Sequence, residues 1–180
     1  MVEVNGVSLI KRMLQQLNTH DLKRIVIIVG YENTQLMSYI ENLNIDVPIY
    51  YVHNERYSET NNIYSLYLAK EYLLQDDTIL LESDLIFEDK VLERLIKSKE
   101  SNVAVVAKYE HWMDGTVTLL DETQKITKFI GKDKFKYSEV DTYYKTVNLY
   151  KFDKAFMEIY CLPSLRFHCQ VLGKNSYYEQ

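Results

Sequence analysis

From Arg24 to Gly30 the chain reads RIVIIVG, an unbroken apolar run closed by a glycine. A strand with no polar alternation has no wet face. It belongs in a sheet covered on both sides, and parallel sheets between helical layers are where such strands occur. The flanking sequence supplies the helices. In VSLIKRMLQQL, Val7 to Leu17, the apolar positions Val7, Leu9, Ile10, Met13, Leu14 and Leu17 form one stripe, and Lys11, Arg12, Gln15 and Gln16 take the opposite face. The pattern then predicts a helix over Thr34–Leu43, a strand over Val47–Val52 and a helix over Asn61–Leu74. A strand over Thr78–Leu81, a helix over Lys90–Ser98 and a strand over Val103–Lys108 follow. Strands alternating with helices imply right-handed crossovers and a mostly parallel, Rossmann-like sheet.

The second half changes character. Val117–Leu120 and Ile126–Phe129 flank the polar DETQK and read as a hairpin, and KTVNLYKF, Lys145–Phe152, as a further strand. Phe156–Leu162 and Leu165–Leu172 read as closing helices separated by Pro163. The fold class expected is therefore a three-layer α/β/α sandwich, with an antiparallel excursion in its second half. Residues 1–180 form a single domain, since nothing resembling a linker divides them.

The net charge of −5 gives no basic surface of the kind that binds nucleic acid. No stretch approaches the roughly 20 apolar residues of a membrane span, and MVEVNGVS lacks the apolar core of a secretory signal. A cytoplasmic protein is expected. Cys161, Cys169 and His168 lack zinc-site spacing and read as a helix end with buried thiols.

Four places offer chemistry. In TILLESDLIFED, Thr78–Asp89, an apolar strand ends in Glu82 and Asp84, at the carboxyl end where open parallel sheets bind ligands. Asp84 is placed to meet Mg²⁺ shared with substrate phosphates, and turn chemistry or capping explains it equally well. Glu82 points to the same side as Asp84 and reads as a salt-bridge partner or a supporting group. Thr60, Asn61 and Asn62 precede a helix and suit capping, with a phosphate or base edge as the alternative use of the freed amides. In YEHWMDGT, Tyr109–Thr116, Trp112 beside Asp114 suits an alkylammonium group. A tight turn, with Trp112 plugging the core edge, explains the same residues. Asn148, inside a strand, needs hydrogen-bond partners and reads as a brace.

Taken in order, VEVNGVSLIKRMLQQL, VGY, TNNIYSLYLAKEYL, LLESDLIFED, YEHWMDGTV and YKTVNLYKF resemble the nucleotidyltransferase family. The branch they are most similar to holds bacterial choline-phosphate cytidylyltransferases and 2-aminoethylphosphonate cytidylyltransferases. The resemblance implies transfer of a cytidylyl group from CTP, or another nucleoside triphosphate, to a small phosphorus-containing acceptor with release of pyrophosphate. It implies Mg²⁺ as cofactor with Asp84 as ligand, Asn62 and Ser65 near the nucleotide, and Trp112 and Asp114 near the acceptor's cationic end.

Family members also carry a glycine-rich loop ahead of the strand that here reads VEVNG, and an acidic metal ligand beyond the position of YYEQ. Neither is in this sequence. A truncated form of a working enzyme, a sugar-phosphate nucleotidyltransferase and a non-catalytic binding or interaction module therefore stay open. A sheet lacking its first strand exposes an edge, so self-association into a homo-oligomer is expected.

Overall fold

The structure is a computed structural model and describes residues 1–178. It opens on a hairpin, β1 (Glu3–Val4) and β2 (Val7–Ser8), where a single strand was expected. The connection is Asn5-Gly6, with φ of 53° and 71°. Positive φ at both central residues is the turn that Asn-Gly favours between twisted strands. Ser8 then caps α1 (Leu9–Leu17), its Oγ accepting from the Lys11 N–H, so the helix starts two residues later than its apolar stripe.

Next come β3 (Ile25–Val29), α2 (Asn33–Glu41), β4 (Ile49–His53), α3 (Asn62–Leu68), α4 (Lys70–Leu73), β5 (Thr78–Leu81), α5 (Asp89–Lys97) and β6 (Val103–Lys108). The expected single helix over Asn61–Leu74 is broken at Ala69, which caps one segment and starts the other. β7 (Val117–Leu120) and β8 (Ile126–Ile130) form the expected hairpin, and β9 (Tyr144–Phe152) runs through the sheet. The closing helices are not separated. Helical turns run from α6 (Lys154–Phe156) through a π-turn (Met157–Cys161) to α7 (Leu162–Phe167) and a second π-turn (His168–Leu172). The Leu162 N–H reaches back to Met157 O, and Pro163, which has no N–H to offer, falls in the first turn of α7, where none is required.

The helices form two layers around the strands. Met13, Leu14 and Leu17 of α1, Ile40 of α2 and Leu92 of α5 pack with Ile25 and Val47 on one face. Ile63 and Leu66 of α3, Leu73 of α4, Met157, Leu165 and Cys169 pack on the other. Along β5 the side chains divide as strand geometry requires, Ile79 and Leu81 toward the first cluster and Leu80 toward the second. A third cluster, Val117, Ile130 and Tyr143, lies under the β7–β8 hairpin.

The sheet is mixed and comes in two pieces. β3 and β4 pair in parallel from Ile25↔Ile49 to Val29↔His53. β5 and β6 both pair antiparallel to β9, which also meets β7. Among the described residues β3 pairs with β4 alone, and β5 with β9 alone. A cleft of about 1150 Å³ separates β3 from β5.

Candidate functional site

β3 and β5 start at the same end of this cleft, because Asp76, just before β5, is gripped by Lys23 and Arg24, just before β3. Their carboxyl ends therefore open onto one mouth. There Glu82, Ser83 and Asp84 continue from β5 and face Asn61, Asn62 and Ser65 at the start of α3. Asp84 is exposed, and among the described residues it makes no hydrogen bond or ion pair.

Glu82 organises this mouth through hydrogen bonds, and among the described residues no cation pairs with it. Its Oε2 accepts from Asn148 Nδ2 at 2.7 Å, and its Oε1 accepts from Asn62 Nδ2 at 3.1 Å and from the Tyr178 hydroxyl at 2.8 Å. Asn62 Oδ1 in turn accepts from the Tyr178 N–H at 3.1 Å. Asn148 is thus the expected brace, in the left-handed region at φ 57°. The cap of α3 is Asn61, whose Oδ1 accepts from the Asn62 N–H at 2.8 Å. With its cap role taken by Asn61, Asn62 is free to tie the helix to β5.

Ser65 is held from beneath. Asn54, buried just beyond β4, donates from Nδ2 to Ser65 Oγ at 3.2 Å and to Thr60 Oγ1 at 3.1 Å, and its N–H donates to Val29 O at 2.8 Å. One amide ties the end of β3 to the start of α3. The sequence reading passed over Asn54; the available signal was a polar amide directly after the apolar strand IYYVH. Gly30 closes β3, and a Cβ there would lie 2.7 Å from Tyr57 Cβ.

Trp112 and Asp114 stand outside the residues that line the cleft. Trp112 is 77% exposed, so it plugs no core, and its Nε1 donates to Glu110 Oε2 at 2.8 Å. Asp114 pairs with Lys132 at 3.0 Å and accepts from the Gly115 N–H at 2.8 Å. The Lys132 hydrogen bond, then that of the Gly115 N–H, holds its carboxyl below the usual carboxylate range. The carboxylate touching the indole is Glu110.

A Mg²⁺ ion that keeps several waters and shares phosphate oxygens needs only one or two carboxylates. Asp84 fits that demand. Among the described residues no three His, Cys, Asp or Glu side chains gather into a cage for an ion.

A family model described as "Domain of unknown function (DUF6564)" matches residues 3–154. The CMP-5'-(3-aminopropyl)phosphonate synthase of Streptomyces rubellomurinus is 30% identical over 99% of this chain and 28% of its own length. The CTP:phosphoglutamine cytidylyltransferase of Campylobacter jejuni is 26% identical over 87% of this chain and 65% of its own. The chain thus spans less than two thirds of these relatives. The solved structure of the CTP:phosphocholine cytidylyltransferase from Streptococcus pneumoniae superposes with a TM-score of 0.74 at 18% identity, covering 99% of this chain and 71% of that one. The fold is that of these cytidylyltransferases, the nucleotide-diphospho-sugar transferase type.

Proposed function

As a member of the family described as a domain of unknown function (DUF6564), to which the chain belongs, this protein acts, we propose, as a cytidylyltransferase. It transfers the cytidylyl group of CTP to a small acceptor bearing a phosphate or phosphonate. An acceptor oxygen bonds to the α-phosphorus, the bond from that phosphorus to the bridging oxygen breaks, and pyrophosphate leaves with the electron pair. The cytidylyltransferases and the phosphonate synthase among its relatives support this reading. The observation that carries it is the exposed Asp84 carboxylate at the cleft mouth, opposite Asn62 and Ser65 and without a partner among the described residues.

Each residue then has a task. Asp84 holds Mg²⁺, which when bound supplies positive charge to the triphosphate. Ser65, fixed by Asn54, and Asn62, fixed by Glu82, present polar groups to the nucleotide from one rigid helix start. Trp112 and Glu110, with Asp114 nearby in the loop, receive the cationic end of an amine-bearing acceptor.

The test is pyrophosphate release from CTP and Mg²⁺ with phosphocholine, 2-aminoethylphosphonate or phosphoglutamine, one acceptor at a time. Acceptor-dependent release supports transfer. Binding of CTP without release from any acceptor assigns the chain to the non-catalytic reading.

A further inference from the structure

We infer that the loop after β6 selects an acceptor ending in a primary ammonium, which has N–H groups to donate, over one ending in a quaternary ammonium, and that Glu110 makes the choice. The inference rests on the proposed reading of this loop as the acceptor end, and it names the class of amine taken there.

The first ground is charge. The loop carries two carboxylates, Glu110 and Asp114, and their surroundings differ. Asp114 is paired with Lys132 at 3.0 Å, and the charge of Lys145 also acts on it. Glu110 is exposed, and among the described residues no cation pairs with it. Its side chain meets only the Trp112 Nε1–H, at Oε2, so lone pairs remain open on both oxygens. A cation that settles on the indole therefore meets a carboxylate whose charge nothing else offsets.

The second ground is the indole itself. Trp112 is exposed, and among the described residues no other aromatic ring stands against it. The rings beside it in sequence are engaged with one another. Tyr109 and His111 meet edge-on at 6.5 Å, and Tyr109 continues to Phe135 at 5.2 Å. A quaternary ammonium has no N–H to donate and is held by several ring faces at once, as a cage. One open face is not a cage. A primary ammonium can lie over that single face and donate to Glu110 in the same pose, a charge-assisted hydrogen bond. Three methyl groups would hold the nitrogen away from the carboxylate and leave its lone pairs unused.

The third ground is placement. β5 and β6 both pair antiparallel to β9, so they run parallel to each other. The loop that follows β6 thus leaves the sheet on the same side as Glu82–Asp84, which follow β5. The loop is also braced. The Tyr109 N–H donates to Tyr143 O and the Tyr109 hydroxyl to Met113 O, both at 3.1 Å, fastening the segment on either side of Glu110 and Trp112. A carboxylate and an indole set in advance lose little freedom when a ligand arrives.

Trp112 is the sole tryptophan, so indole fluorescence reports on this loop alone. The test titrates the full chain, without nucleotide, with 2-aminoethylphosphonate, its N,N,N-trimethyl counterpart and ethylphosphonate. 2-Aminoethylphosphonate should change the emission with a Kd at least about tenfold below that of the trimethyl compound, and ethylphosphonate, which has no cation, should bind more weakly than either. Glu110→Gln keeps an acceptor for the Trp112 Nε1–H and removes the charge. At an exposed position it should fold, and it should narrow the preference to about threefold or less. Three results overturn the inference: binding of the trimethyl compound as tight as that of the primary amine, a preference that survives in Glu110→Gln, or emission that none of the three compounds changes. No readout involves CTP or pyrophosphate. Selective binding without transfer would leave this inference standing and overturn the proposed activity, and transfer without selectivity would do the reverse.

Discussion

Asn148 Nδ2 donates to Glu82 Oε2 at 2.7 Å from a residue held at φ 57°. The strut ties β9 to the end of β5, and Glu82 passes it on to Asn62 and Tyr178. Only a carboxylate offers acceptors alone to three donors at once. Glu82→Gln turns one acceptor into a donor facing donors. It should lower unfolding free energy by about 1–3 kcal/mol, read as a shift in urea midpoint at unchanged slope.

Gly30→Ala tests the close approach at the end of β3. The added methyl would lie 2.7 Å from Tyr57 Cβ and 2.9 Å from its Cγ, atoms that move only with the backbone or the whole ring. A loss of about 1–3 kcal/mol is expected in the same urea experiment.

The Asp76 grip predicts a dependence on acid. The Lys23 hydrogen bond, with the charges of Lys23 and Arg24, holds the Asp76 carboxyl below the usual carboxylate range. A folded pKa below the unfolded one gives stability that is present above the unfolded value, about 3.9, and is lost as pH falls through the folded one. Asp76→Asn should therefore be less stable than the parent at neutral pH and converge with it in acid. Lys23 is exposed while Asp76 and Arg24 are half-buried, so the difference should shrink in part, not vanish, in high salt.

Trp112→Ala tests the acceptor end. An exposed cation–π contact is worth about 0.5–2 kcal/mol, so the KM for an amine-bearing acceptor should rise roughly 2- to 30-fold. CTP affinity should not change, because the indole stands outside the cleft.

Much of the frame was legible because it rests on local pattern. RIVIIVG and VAVVAK announce strands without a wet face, and LIKRMLQQL carries its own apolar stripe. Where a local signal competed with another, the outcome was decided in three dimensions. Asn5-Gly6 turned an expected strand into a hairpin, and a π-turn absorbed Pro163. The mouth of the cleft was legible only in part. Asp84 followed from its place after a strand, whereas the partners of Glu82 lie 20, 66 and 96 residues away in sequence. No periodicity relates such positions. Asn54 beneath Ser65 is fixed by contact between a loop and a helix, whereas Glu110 meets the Trp112 indole from two residues away within one loop.

The measurement that tests the central claim most directly is calorimetric titration of CTP, with and without Mg²⁺, into the parent protein and into Asp84→Asn. An exposed residue without partners among the described residues can be replaced at a cost within about 0.5 kcal/mol of stability, so loss of binding would not reflect unfolding. Magnesium-dependent CTP binding by the parent, abolished in Asp84→Asn, is the predicted result. Binding indifferent to Mg²⁺ or to the substitution, or no binding by the parent, would contradict the assignment of the cleft mouth as a nucleotide site.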